Sequence, residues 1–211
     1  MPDERVNEII ALLKKEYPDV RTALDYSNPL ELLVSTILSA QSTDRQVNVV
    51  TKNLFKKYRT PRDYIKTPLD ELEKDIHSTN FYKNKAKNIK KLCELLVENF
   101  GGKVPDNMED LITLPGVARK TANVVLWSAF GKNEGIAVDT HVKRVSARLG
   151  LTENTNPEKI EKDLMATVPK NDWGLFSLLL IRHGREICTA KKPRCQDCVL
   201  NKICPSAFTF G

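Results

Sequence analysis

The sequence predicts an all-α protein. Three observations carry that reading. Apolar residues recur at helical spacing along most of the chain, and Asn-Pro and Thr-Pro pairs stand where helices are expected to start. No stretch combines sustained apolar/polar alternation with hairpin turn dipeptides. Residues 3–17 place Val6, Ile9, Ile10, Leu13 and Tyr17 on one face, and Pro18 stops that helix. Asn28-Pro29, a cap followed by proline at the first helical position, opens 30–40. Leu30, Leu32, Leu33, Val34, Ile37 and Leu38 make that segment apolar on most sides, as in a buried central helix. Thr67-Pro68 and Asn156-Pro157 repeat the pattern before 69–76 and 158–168. A long helix over about 82–99 ends at Gly101-Gly102, and further helices are expected at 44–58, 107–113, 118–130, 140–149 and 172–187. Gly131-Lys132-Asn133-Glu134-Gly135 is the most linker-like stretch and suggests a domain division near 131–136.

The composition bounds the function. With 211 residues, 41% of them hydrophobic and 28% charged, the chain is globular and long enough for a substantial core. Its longest uncharged stretch, Leu32 to Thr43, is too short to span a bilayer, and the opening Met1-Pro2-Asp3-Glu4-Arg5 has no apolar signal core. A membrane or secreted protein is therefore not expected. Lys plus Arg number 33 against 27 Asp plus Glu, a formal charge of +6 that favours a polyanionic partner.

Five cysteines are an odd number for a disulfide scaffold, and four of them crowd into one short segment. Cys188, Cys195, Cys198 and Cys204 are separated by gaps of 6, 2 and 5 residues. A zinc ion held by four thiolates is the plainest reading. Zinc modules, however, usually bring two close pairs from separate places, whereas a single wrapping loop suits a four-iron, four-sulfur cluster better. Cys93 falls on the apolar face of helix 82–99 and reads as core. From Arg182 to Cys204 there are six Lys or Arg against two acids. This basic loop, with Lys191, Lys192 and Arg194, is either a solvated surface or a phosphate-contacting loop braced by the metal centre. Lys83, Lys85, Lys87, Lys90 and Lys91 form a second basic run, read as a solvated face that could also lie along phosphates.

Leu111 to Ala122, with Leu114-Pro115-Gly116-Val117-Ala118-Arg119-Lys120 at its centre, joins two short helices by a tight Pro-Gly turn. Backbone N–H groups after Gly116 would then be aimed outward at a helix N-terminus, a natural seat for phosphate. This hairpin, Val138-Asp139-Thr140-His141-Val142, Leu38-Ser39-Ala40-Gln41-Ser42-Thr43-Asp44 and the four-cysteine loop together resemble the endonuclease III family of helix-hairpin-helix DNA glycosylases, in order over nearly the whole chain. Ala118 stands where the family usually has Gly, and is expected as the first residue of the following helix.

The resemblance implies two helical domains with a DNA-binding cleft between them. One is a six-helix bundle over 25–134 containing the hairpin; the other, from 1–24 and 135–211, carries a [4Fe-4S] cluster held by the four cysteines. It implies a bifunctional glycosylase and abasic-site lyase of base-excision repair, removing oxidised pyrimidines. The partner would be double-stranded DNA with damaged bases or abasic sites, met by a monomer in the cytoplasm on the nucleoid. Lys120 would attack the deoxyribose anomeric carbon and form an imine, with Asp139 stabilising the sugar cation or helping deprotonate the nucleophile. A free lysine is neutral in only about 1 part in 2,500 at pH 7, so surroundings must favour the neutral amine. The first turn of 118–130 works in that direction through its macrodipole, and burial would add to it. Asp139 is also well placed simply to cap helix 140–149. Gln41 and Phe81 would plug the gap left by the rotated-out base, although the family often has Gly where Asn80 stands. Gly116, Val117, Ala118 and Arg119 would contact the backbone. His141 and His183 read as structural, His183 packing near the cluster.

Two alternatives stay open on this reading. A monofunctional glycosylase of the same superfamily, acting on adenine or mismatched thymine, would usually lack the lysine and use a Glu near the Gln-bearing helix, yet Leu32 to Thr43 holds no carboxylate. A non-catalytic helix-hairpin-helix protein would bind DNA and form no imine.

Overall fold

A computed structural model describes residues 4–209, and among these every regular element is helical. Helix α1 (Glu4–Glu16) buries Val6, Ile9, Ile10 and Leu13; its expected start at residue 3 lies outside the described residues. The chain separates into two units. One is the continuous segment Thr22–Gly131, the other combines the chain up to Arg21 with that from Lys132 onward. Both boundaries fall a few residues before those of the expected 25–134 division.

Thr22–Gly131 is built around α2 (Pro29–Ser39), which packs against α3 (Asp44–Lys57), α6 (Tyr82–Phe100) and α8 (Arg119–Phe130). Leu32, Leu33, Val34 and Leu38 of α2 are all fully buried. Each such side chain contributes about 2 kcal/mol through burial. The start of α2 is fixed locally: Asn28 Oδ1 accepts from Glu31 N (3.0 Å), while the Glu31 carboxylate accepts from Ser27 N and Oγ, both at 2.7 Å. Between α3 and α5 (Leu69–Asp75) lies α4 (Pro61–Lys66), a helix that the sequence reading leaves unassigned and that makes this a bundle of seven helical segments, with α7 (Met108–Leu111), instead of six. The Asp63 carboxylate accepts from Thr60 N (2.8 Å) and Thr60 Oγ1 (2.9 Å), a capping box one turn long. Pro68 occupies the N-cap position of α5, one residue earlier than in α2 and α10.

The second unit packs α11 (Trp173–Glu186) against α1 and α9 (Thr140–Arg148), with α10 (Pro157–Thr167) completing it. Its separate core holds Ile9, Leu13, Val142, Val145, Phe176 and Leu180. Beyond α11 the chain makes a series of turns around a short 3-10 segment, Cys195–Asp197, which carries the cysteine loop.

Candidate functional site

The hairpin is assembled from its turn. Val117 N donates to Leu114 O (3.1 Å) across Pro115 and Gly116, and Gly116 takes φ +81°. That is a type II turn, with proline at its second position and glycine at its third. A Cβ at residue 116 would stand 3.2 Å from Asn88 Nδ2, so the turn lies tight against α6. The Val117 side chain is buried and its N–H is used within the turn. Ala118 is the N-cap of α8 and not its first residue. Its φ −87° and ψ 167° are extended backbone that alanine adopts freely. Alanine has no side-chain oxygen to offer a cap, so no side chain of the capping residue covers the first-turn N–H groups of α8. Arg119 and Lys120 follow as exposed residues of that turn. The burial expected for Lys120 is not found: its side chain is exposed.

Gln41 and Phe81 are non-glycine residues in the left-handed region, at φ +55° and +57°. Such a conformation costs about 1–2 kcal/mol at each. Both are exposed, Phe81 by 62%. Their two turns are tied together: Asn80 Nδ2 donates to Gln41 O, and Asn80 N donates to Ser42 Oγ (3.0 Å). The lysine run nearby divides. Lys83, Lys87 and Lys91 are exposed, Lys91 pairing with Glu94 at 3.0 Å. Lys85 is buried, and Lys90 turns inward to the carbonyls of Tyr64, Ile65 and Thr67 that end α4.

In the second unit Asp139 is the half-buried N-cap of α9, its Oδ1 accepting from His141 N and Val142 N, both at 2.8 Å. Both cap bonds land on one oxygen, which fixes the carboxylate and leaves Oδ2 outside the cap. His141 Nδ1 accepts from Arg144 (3.2 Å).

Cys188, Cys195, Cys198 and Cys204 line one cavity together with Val145 and His183. Burial pushes the Cys198 thiol up to about 11, with the neighbouring cysteines adding to the rise, and burial raises Cys204 as well. Four thiolates so placed require a compensating cation. No three of the His, Cys, Asp and Glu side chains among the described residues converge closely enough to hold one metal ion. The four cysteines line one cavity, and four thiol donors brought there by a single loop fit an iron-sulfur cluster. Donors toward sulfur complete the fit: Arg148 to Cys188 Sγ at 3.3 Å and Leu200 N to Cys198 Sγ at 3.4 Å. His183 Nε2 lies 3.5 Å from Cys198 Sγ, while Nδ1 is 3.1 Å from Tyr17 Oη. The tautomer protonated at Nε2 satisfies both contacts, accepting from tyrosine and donating to a thiolate. Burial pulls His183 down to about 4, which keeps the ring neutral.

The basic loop is held by the same residues. Arg148 donates to Thr189 O (2.7 Å) and Ala190 O (3.0 Å), and Arg144 to Cys188 O (3.1 Å). Lys191 and Lys192 are exposed. Arg194 is exposed too but is spent on structure, donating to Glu186 O (2.8 Å) at the end of α11. The roles of Arg148 and Asn80 leave no mark in the sequence, because their partners are set by packing.

The family described as "HhH-GPD superfamily base excision DNA repair protein" matches residues 34–170, and the "Iron-sulfur binding domain of endonuclease III" matches 188–204. Endonuclease III of a Synechocystis species is 54% identical over 204 residues, 97% of this chain and 93% of the relative. A solved non-covalent endonuclease III–DNA complex superposes with a TM-score of 0.92 at 46% identity, over 98% of this chain and 96% of that one. A trapped endonuclease III–DNA covalent intermediate gives 0.89 at 47%, over 97% of each chain. The type II turn feeding a helix without a side-chain cap, the two left-handed turns and the four-cysteine cavity thus sit in a chain that belongs to the endonuclease III family, within the HhH-GPD superfamily of base excision DNA repair proteins.

Proposed function

We propose that Lys120 is the nucleophile of this bifunctional base-excision repair glycosylase and lyase, and that its substrates are oxidised pyrimidines in duplex DNA. The protein's partner is DNA, as in the solved relatives. The observation that carries the residue assignment is the Leu114–Val117 turn, which delivers α8 with its N-terminus free of a side-chain cap and Lys120 exposed as its second residue. The lone pair of Lys120 Nζ attacks C1′ of the sugar, and the glycosidic bond breaks, its electrons leaving with the base. Ring opening gives an imine; loss of a C2′ proton then expels the 3′ phosphate. Asp139, held by its cap bonds, supplies the carboxylate that stabilises the positive sugar. Gln41 and Phe81 fill the gap left by the extruded nucleotide. Ala118, Arg119 and the turn at Gly116 and Val117 meet the phosphates, joined by Lys191 and Lys192, with Arg194 bracing their loop. Cys188, Cys195, Cys198 and Cys204 would hold the [4Fe-4S] cluster, which would brace this loop. The enzyme acts as a monomer in the cytoplasm, on the nucleoid; no helix of the described residues is long and apolar enough to cross a membrane.

Borohydride reduction on a panel of duplexes, each with one lesion, tests this reading. An oxidised pyrimidine should yield a covalent adduct, and Lys120→Ala should lose both adduct and strand scission while still binding duplex. Unchanged scission by that variant removes Lys120 from the mechanism. Excision of adenine or mismatched thymine without trapping would favour a monofunctional enzyme.

A further inference from the structure

The fourth residue of α6 is a lysine turned into the protein. Lys85 is only 5% exposed, and its Nζ donates to Leu38 O (2.7 Å), Ala40 O (2.8 Å) and Ser42 Oγ (3.2 Å). An ammonium has three protons and no acceptor capacity, so these three partners satisfy it completely. Leu38 and Ala40 offer carbonyls at the end of α2, which has no basic residue of its own in its last turn. Orphaned carbonyls and the negative pole of the helix dipole favour a cation there. A lysine retained for solubility or for phosphate would stand in water.

What Lys85 grips is informative. Ala40 and Ser42 flank Gln41, the residue held at φ +55°. At the same time Lys85 N donates to the carbonyl of Phe81 (3.1 Å), itself a left-handed residue, forming the first helical bond of α6. One residue therefore holds one turn with its side chain and the other with its backbone. Asn80 adds an outer tie through Gln41 O and Ser42 Oγ.

We propose that Lys85 is a positioning residue for entry into the duplex: with Asn80 it locks the Gln41 and Phe81 turns into one preformed wedge. The two side chains then reach the base stack already oriented, and their conformational freedom is surrendered on folding instead of on DNA binding. The inference rests on the reading of Gln41 and Phe81 as the gap-filling pair. Burial pulls Lys85 down to about 8, in keeping with a site that gives up hydration for geometry.

The test is single-turnover excision of an oxidised pyrimidine from duplex DNA carrying 2-aminopurine opposite the lesion, whose fluorescence reports disruption of stacking. Lys85→Met should slow excision by on the order of tenfold or more and diminish the fluorescence change. Borohydride trapping on a single-stranded abasic oligonucleotide, which has no gap to plug, should stay within about twofold. In a Gln41→Ala, Phe81→Ala background, Lys85→Met should add little, because the residues it positions are gone. Equal loss on duplex and single strand, or unchanged duplex excision, overturns the proposal. If Lys85→Met does not fold, Asn80→Ala cuts the exposed tie and should weaken the fluorescence change; no effect there overturns it also. The two readings separate cleanly. Unchanged excision by Gln41→Ala, Phe81→Ala itself refutes the gap-filling assignment, whereas loss in that variant but not in Lys85→Met refutes the lock alone.

Discussion

Replacing Gly116 by alanine puts the hairpin under a perturbation whose size the structure supplies. At φ +81° an L side chain is strained, by about 1–2 kcal/mol. The added Cβ also meets Asn88 at 3.2 Å (Nδ2) and 3.4 Å (Cβ), so the half-buried amide must shift or the turn must open. Gly101, at the end of α6, is the internal control: its φ is +60°, but nothing lies within 4 Å of a Cβ there. Gly101→Ala therefore carries the backbone cost without the collision. Both variants should melt lower, by about 4–8 °C per kcal/mol in a unit of this size. Only Gly116→Ala should weaken duplex binding, by roughly tenfold if about 1.4 kcal/mol of strain is relieved by opening the turn. Fluorescence anisotropy with a duplex containing a stable abasic analogue, at one fixed salt concentration, reads this directly. If Gly116→Ala binds as tightly as the unmodified protein while losing the stability that Gly101→Ala loses, the hairpin is a connector and its geometry does not serve DNA.

The cluster and the capping box give two further tests. Cys195→Ser should purify with less iron, loosen the 188–204 loop to proteolysis and weaken duplex affinity, while Thr22–Gly131, which has its own core, keeps its helical circular dichroism; normal DNA binding by an iron-free protein would refute the structural role of the cluster. Hydrogen bonds from Thr60 hold the Asp63 carboxyl below its ordinary value of 3.8, so its contribution is complete above that pH and is lost as pH falls through the lower folded value. Asp63→Asn should therefore be less stable at pH 7, by a few tenths of a kcal/mol to about 1 kcal/mol for a solvated cap, with the gap to the parent protein closing below about pH 4; a gap independent of pH in denaturant titrations would mean that the charge is irrelevant.

Much of the fold is legible because helix starts are written locally. Asn28 and Asn156 cap α2 and α10 with the bonds that an Asn-Pro pair implies, Asn156 Oδ1 accepting from Glu158 N at 2.9 Å and Lys159 N at 3.2 Å. The same grammar is present in Thr60-Pro61-Arg62-Asp63, yet α4 is six residues long and buries only Pro61 and Tyr64. A helix that short offers no periodicity to corroborate its cap. The chemistry of the site follows the same division. Four cysteines inside one loop, and an aspartate capping the helix that starts beside it, are local facts. That Arg148 braces a loop 40 residues further on, or that His183 stands between Tyr17 and Cys198, depends on packing that no local pattern encodes.

Lys85 marks the edge between what is legible and what is not. Five lysines in nine residues without an acid read as a solvated face, and charge alone makes that the better choice. Periodicity argues otherwise for one of them. The buried stripe of α6 is Ala86, Ile89, Leu92, Cys93 and Leu96, and stepping back four residues from Ile89 lands on Lys85. A lysine on the apolar stripe of an amphipathic helix must either snorkel to water or find acceptors inside. Near the N-terminal end of α6 the acceptors are the last carbonyls of α2, a helix that the sequence already marks as central and that ends without a cation of its own. Two legible facts, a lysine in register with a core stripe and a buried helix with an unserved C-terminus, thus imply each other once placed side by side. The partner is recoverable from sequence only by treating helix ends as unmet demands and off-pattern charges as their candidate suppliers.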